Sequence, residues 1–219
     1  MYVKMNRIEI VVAKYKEDIS WTRNFENVII YDKSNNKDLP NIGREAHTYI
    51  HHIIEHWNNL ANITVFLQGN PHDHTSYYEN GEQSMMLSTF IDFLISSARA
   101  NGFSQNYSYR PMDAVYEAKK GSNYEVPDSF TISIHSYFKR YTNTEIHRNI
   151  KFYVGAQFAV SKEIIQCIPL WKWKEMLDSL SYSYTPVTAH YMERIWYLMF
   201  KEASDCIISN QEKIKKFLL

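Results

Sequence analysis

Three short apolar runs constrain this chain most. Residues 8–13 (IEIVVA), 27–32 (NVIIYD) and 63–68 (ITVFLQ) are brief and rich in β-branched side chains, as buried strands are. Between the first two, Asp18 is placed to cap a short helix. Between the second and third, residues 45–60 repeat Ala46, Tyr49, Ile50, Ile53, Trp57 and Leu60 at helical spacing, which makes one apolar stripe. The order strand, helix, strand, helix, strand implies parallel pairing through right-handed crossovers. The predicted fold class is therefore α/β, with a mostly parallel central sheet flanked by helices. Ligands of such sheets lie beyond the carboxyl ends of the strands. Those ends carry residues 13–17 (AKYKE), Asp32, and residues 69–74 (GNPHDH), so three polar segments are expected to meet on one edge.

The rest of the chain continues the alternation less regularly. Residues 84–101 read as a helix with Met85, Met86, Phe90, Phe93 and Leu94 inward, and residues 103–128 as a long aromatic loop. Residues 151–160 (KFYVGAQFAV) read as one strand. Residues 162–167, 170–180 and 189–200 read as helices, followed by a helical tail. No linker, repeat or low-complexity segment divides the 219 residues, so a single domain over 1–219 is expected.

Lys+Arg and Asp+Glu are both 24, and a net charge of zero argues against attachment to nucleic acid through a global basic field, with a local basic patch left open. Apolar stretches fall short of the roughly 18 residues a bilayer span requires. The start of the chain is a charged strand pattern without a signal peptide. A soluble, cytoplasmic protein is expected, and peripheral membrane attachment stays open. Cys167 and Cys206 make neither a disulfide framework nor a zinc spacing, and both read as buried thiols in helices.

Five stretches carry candidate chemistry. In Asn41-Ile42-Gly43-Arg44-Glu45, Gly43 permits a tight turn before a helix, helix starts favour anions, and Arg44 can grip a phosphate with two parallel hydrogen bonds. The same residues also suit a plain helix-start turn with an exposed arginine. In His72-Asp73-His74, the carboxylate of Asp73 suits Mg²⁺ or Mn²⁺ against a diphosphate, and a polar surface loop is the alternative. Gly155-Ala156-Gln157 lets another group approach the backbone, or simply packs a core strand. Glu193 either projects into a cleft as a base or pairs at the surface. His47/His51 and His52/His56 are spaced for a shared metal, so a zinc hydrolase using them with His72 and His74 is a further reading.

Together, VVAKYKEDISW, LPNIGREAHTYIHHIIEH, VFLQGNPHDH, YVGAQFAVSKEII and ERIWYLMF resemble, in this order, domain-of-unknown-function family 3431 over nearly the whole chain. That family is in turn similar to glycosyltransferases of the GT-A fold. The resemblance implies a Rossmann-like domain with a nucleotide-binding half over about residues 1–100 and an acceptor half over about 101–219. It implies transfer of a sugar from a nucleotide-sugar donor, such as a UDP-sugar, to a hydroxyl of a carbohydrate or glycoconjugate acceptor, with Mn or Mg as cofactor. A non-catalytic nucleotide- or carbohydrate-binding module on the same fold is the alternative.

By that resemblance Ala13, Lys14, Tyr15 and Asp32 contact base and ribose, and Asn41, Gly43 and Arg44 face the nucleotide. Gln68 belongs to the same donor site. Gly155, Ala156 and Gln157 border the donor sugar, and Glu193 stands where an inverting enzyme places its base. The related enzymes carry an Asp-x-Asp metal motif after the third strand. Here that position reads Gln68-Gly69-Asn70, so either Asp73 and His74 hold the metal, or Arg44 and backbone amides serve the diphosphate alone.

Overall fold

The computed structural model describes residues 7–72, 78–79, 82–83, 86–105, 109–112, 125–126, 133–142, 144–146 and 150–217. Strands β1 (Ile8–Lys14), β2 (Val28–Asp32) and β3 (Ile63–Gln68) form where the apolar runs predict them. Helix α1 (Arg44–Glu55) carries the chain from β2 back to β3. Then follow β4 (Tyr78–Glu79), β5 (Glu82–Gln83), α2 (Leu87–Asn101), β6 (Phe103–Gln105), β7 (Tyr109–Met112) and α3 (Ile134–Tyr141). The chain finishes with β8 (Ile150–Tyr153), β9 (Phe158–Ser161), α4 (Lys162–Cys167), α5 (Leu170–Leu180) and α6 (Val187–Phe217).

The main sheet has the order β2-β1-β3-β9-β6, with antiparallel pairs β4-β5 and β7-β8 beside it. β1 lies between β2 and β3 and runs parallel to both, with Ala13 level with Tyr31 and Gln68. β9 runs antiparallel to β3 and to β6. The sheet is thus mixed, which corrects the expectation of a mostly parallel one. The cause lies in the turn before β9. Gly155 (φ 95°) and Ala156 (φ 47°) leave the extended region and split the single strand expected over 151–160 into β8 and β9. The chain then enters β9 beside the carboxyl end of β3, Phe158 opposite Phe66, and must run down the sheet to Ser161 opposite Ile63.

Alternate residues of the strands serve two apolar layers. Val11, Ala13, Phe66, Phe158 and Val160 face α1, α5 and α6, where Tyr49, Ile50, Ile53, Trp173, Trp196 and Phe200 are buried. Ile10, Val12, Val65, Leu67 and Ala159 face α2 through Phe90, Ile91, Leu94 and Ala98. Beneath α1 a polar group is buried with its partners. His52 Nε2 donates to Glu9 Oε1 at 3.1 Å, and the Ala61 N–H and Thr64 hydroxyl reach the same oxygen. Burial raises the pKa of Glu9, but these hydrogen bonds and the His52 charge outweigh it and leave the carboxyl below its ordinary value.

Other local expectations shift. α1 ends at Glu55 and passes into a 3-10 turn, Trp57–Asn59, before Leu60 turns extended towards β3. Asp18 does not cap a helix: its carboxylate takes the Ser20 N–H and hydroxyl, and Ile19 precedes the 3-10 turn Ser20–Asn24. Met86 is exposed rather than inward, because α2 starts one residue later. α3, capped by the Ser133 hydroxyl, falls where no element was expected. Cys206 is exposed, not buried. α6 runs unbroken through both the expected helix and its tail.

Candidate functional site

At the carboxyl edge of β1 and β3 the structure opens a cleft of about 510 Å³. Ala13, Tyr15, Asn41, Arg44 and Gln68 line it, so the ends of β1 and β3 and the turn before α1 do converge. Lys14, Glu17, Lys33, Glu45, Gly69, Asn70, Tyr184 and Thr185 complete the wall.

The α1 turn depends on its glycine. Gly43 has φ 63°, and a Cβ there would stand 2.6 Å from His47 Cβ and 2.9 Å from the Leu180 carbonyl oxygen. Its N–H donates to the Ser183 carbonyl at 2.9 Å, which ties the turn to the loop after α5. Arg44 follows with φ 49°, so two successive residues are left-handed. Gly43 shapes the wall without forming part of it.

Lys33 holds the same turn from below. Its buried Nζ donates to the carbonyls of Ile42, at 2.5 Å, and Arg44, at 2.7 Å. Burial pushes its pKa down to about 8, with Glu45 pulling the other way. The Lys33 ammonium group thus meets the backbone of the turn that carries Arg44. Arg44 Nε also lies 3.6 Å from Glu45 Oε2.

At the end of β1, Lys14 Nζ pairs with Asp32 Oδ2 at 2.5 Å. Asp32 Oδ1 takes the hydroxyl and N–H of Ser34. Burial raises the Asp32 pKa, but Lys14 and Ser34 overcome it and bring the carboxyl down to about 2. Asp32 thus lies behind Lys14 rather than in the cleft wall. Tyr15 and Tyr184 form an aromatic corner, ring centres 6.1 Å apart at 54°, with Lys16 Nζ 5.0 Å from the Tyr15 ring centre.

Glu17 accepts the N–H of Tyr15 through Oε2. It leans on Gly69, whose carbonyl accepts the Trp21 indole N–H at 2.9 Å. A carboxylate is in this way fixed between the ends of β1 and β3.

Gly155, Gln157 and Glu193 gather away from that wall. Glu193 Oε1 accepts the Gly155 N–H at 2.9 Å, and Arg194 Nη1 lies 3.2 Å from Glu193 Oε2. The Arg194 guanidinium covers the Phe152 ring at 4.8 Å. Glu193 Oε1 therefore serves the turn that reverses the chain into β9, while Oε2 is engaged by Arg194. Gln157 Nε2 donates to the Pro71 carbonyl at 3.0 Å and ties this turn to the segment after β3. Asp73 and His74 lie outside the described residues.

The histidines of α1 are engaged with their neighbours. His52 is committed to Glu9 and Tyr31, and His47 and His51 stack at 6.4 Å. Among the described residues no three His, Cys, Asp or Glu side chains come together to hold a metal ion. Among the described residues, the carboxylates lining the cleft are Glu17, which takes a backbone N–H, and Glu45, which stands beside Arg44.

The family model described as a protein of unknown function, DUF3431, matches residues 10–214. The chain belongs to the DUF3431 family. No curated protein and no solved structure matches it.

Within this DUF3431 chain, Lys33, Tyr184 and Thr185 escaped sequence reasoning, and Glu17 was expected on the strand-end edge without a role of its own. Lys33 follows Asp32 at a strand end, a position that could have marked it. Glu17 sits in the polar run after β1, where its closeness to Gly69 depends on the pairing of β1 with β3. Tyr184 comes from the loop after α5, far along the chain and without periodicity, so no local signal pointed to it. Among the described residues, no helix is long and apolar enough to cross a membrane.

Proposed function

We propose that the cleft binds the nucleotide and diphosphate of a nucleotide-sugar, and that the chain is a glycosyltransferase acting on a carbohydrate or glycoconjugate hydroxyl. One observation carries the reading. Segments distant along the chain bring Lys14, Lys33 and Arg44 to one wall together with amide side chains and a tyrosine pair. Cations suit a diphosphate, and their value grows as charge develops on the leaving group. Aromatic faces suit a base or sugar ring. The ligand edge of the parallel β2-β1-β3 unit is the edge a Rossmann-like or GT-A-like arrangement uses.

In this reading Arg44 holds the diphosphate on the turn that Lys33 supports from below, Asn41, Gln68 and Asn70 supply polar contacts, and Tyr15 flanks the base. Glu17 is the carboxylate offered to a bound hydroxyl, and a carboxylate in that position takes the proton as the hydroxyl attacks. Glu193 acts through the Gly155 turn as a positioning residue. A divalent cation (Mn or Mg) would be held through Asp73 and His74, where it would neutralise charge on the diphosphate.

The engagement of both Glu193 oxygens favours a second reading, a non-catalytic nucleotide- or carbohydrate-binding module. Donor hydrolysis separates the two. The full chain is incubated with a panel of UDP-sugars, with and without Mn²⁺, and released UDP is measured. Release that Glu17→Gln abolishes supports the transferase. Binding without release in the whole panel supports the module.

A further inference from the structure

The chain contains two cysteines, and the fold brings them to one place. Cys167 ends α4 and Cys206 lies in α6, yet both line a cavity of about 230 Å³ with Tyr141, Pro169, Lys172 and Ala203. Cys167 Sγ lies 3.7 Å from the carbonyl oxygen of Ala203, which is about one helical turn before Cys206. Asn210 Nδ2 lies 3.7 Å from Cys206 Sγ, one turn further on. Cys167 therefore packs on the strip of α6 that carries Cys206. The thiols also act on each other. Burial pushes the Cys167 thiol up, and Cys206 adds to this through its charge and a side-chain hydrogen bond. Cys206 is exposed and Cys167 is partly covered, so one thiol meets solution and the other waits behind it.

We propose that Cys167 and Cys206 are a dithiol that closes to an intramolecular disulfide by exchange with a low-molecular-weight disulfide such as oxidised glutathione. The Cys206 thiolate attacks one glutathione sulfur, the glutathione disulfide bond breaks, and one glutathione thiolate leaves. The Cys167 thiolate then attacks Cys206 Sγ in the mixed disulfide. The Cys167–Cys206 bond forms and the second glutathione thiolate leaves. The protons released by the two cysteines end on the two glutathiones. The protein loses two electrons, and one oxidised glutathione becomes two reduced ones. The bridge fastens α4, which continues directly from β9, to the helix that carries Glu193.

The full chain is equilibrated in glutathione buffers of rising oxidised fraction, blocked with iodoacetamide and mapped by non-reducing peptide mass spectrometry. We expect both thiols to disappear together, with the Cys167 and Cys206 peptides joined within a monomer and released by dithiothreitol. Cys167→Ser is expected to collect a lasting glutathione adduct on Cys206. A lasting adduct on Cys206 of the wild-type chain with Cys167 still alkylated overturns the proposal. So does a disulfide-linked dimer, or two thiols that stay free throughout. The wild-type map decides the matter even where a serine variant does not fold.

Discussion

Gly69 and Glu17 pack so closely that a Cβ on residue 69 would stand 2.6 Å from Glu17 Oε2 and 2.9 Å from its carboxyl carbon. The backbone of residue 69 is not in the left-handed region, so a Cβ there acts by displacing the end of the Glu17 side chain. Gly69→Ala must push the carboxylate away from the Tyr15 N–H. If Glu17 meets a bound hydroxyl, the variant loses a charged hydrogen bond of about 1.5–3 kcal/mol, or about 10–100-fold in affinity for a nucleotide-sugar. Calorimetric titration checks this, with a melting curve to confirm folding. An unchanged Kd places Glu17 outside the ligand's reach.

Arg44 is held at the cleft by a turn with two left-handed residues, which makes its position expensive to reproduce. Arg44→Lys keeps the charge but loses the planar fork that grips a phosphate with two bonds. We expect Arg44→Ala to weaken UDP binding about 10–100-fold, and Arg44→Lys to recover only part of the loss. Equal affinity in all three chains would show that the anion contacts lie elsewhere.

Lys33 is a structural prediction as much as a functional one. Lys33→Met leaves the carbonyls of Ile42 and Arg44 without their buried donor, at a cost of about 1–3 kcal/mol. Urea unfolding measures it. The buried Glu9–His52 pair should matter more. Glu9→Ala leaves the His52 Nε2–H, the Ala61 N–H and the Thr64 hydroxyl without their shared buried acceptor and is expected to cost about 3–5 kcal/mol. A loss below about 1 kcal/mol, the range of an exposed pair, would contradict its burial.

Acid should destabilise the fold through two histidines. Burial, with Lys33 and then His51 nearby, holds His47 at about 4 against an ordinary 6.5. Burial, with Arg194 and then Arg44, holds His190 at about 3 against the same 6.5. Between 6.5 and these values the unfolded chain binds protons that the folded chain refuses. Stability is therefore whole above 6.5 and falls as the pH drops through the window, by about 1.4 kcal/mol per group per pH unit. His47→Asn should flatten part of that slope in urea titrations at stepped pH. A slope that the substitution leaves intact assigns the acid response to other groups.

Much of the first half of the fold was legible because its signals are local. β-branched runs and an apolar stripe at helical spacing gave β1, α1, β2 and β3, and the alternation gave their parallel pairing and the edge on which Tyr15, Arg44 and Gln68 meet. The direction of β9 was not legible, since an apolar run carries no polarity. It follows from where the Gly155-Ala156 turn releases the chain. Asp32 was correctly placed at a strand end, but its pairing with Lys14 depends on the register of two strands. Glu193 was readable as paired or functional, and its partner, the Gly155 N–H, comes from a turn that the sequence presented as strand. The cysteine pair was hidden for a similar reason, because only the packing of α4 on α6 brings the two together.

The most direct measurement is calorimetric titration of the full chain with UDP and a panel of UDP-sugars, repeated on Arg44→Ala and Gly69→Ala. We expect saturable binding at one site in the wild-type chain, at least about 10-fold weaker in each variant while both remain folded. No binding of any nucleotide by the folded wild-type chain, or equal binding by all three, would contradict a nucleotide-sugar site at the ends of β1 and β3.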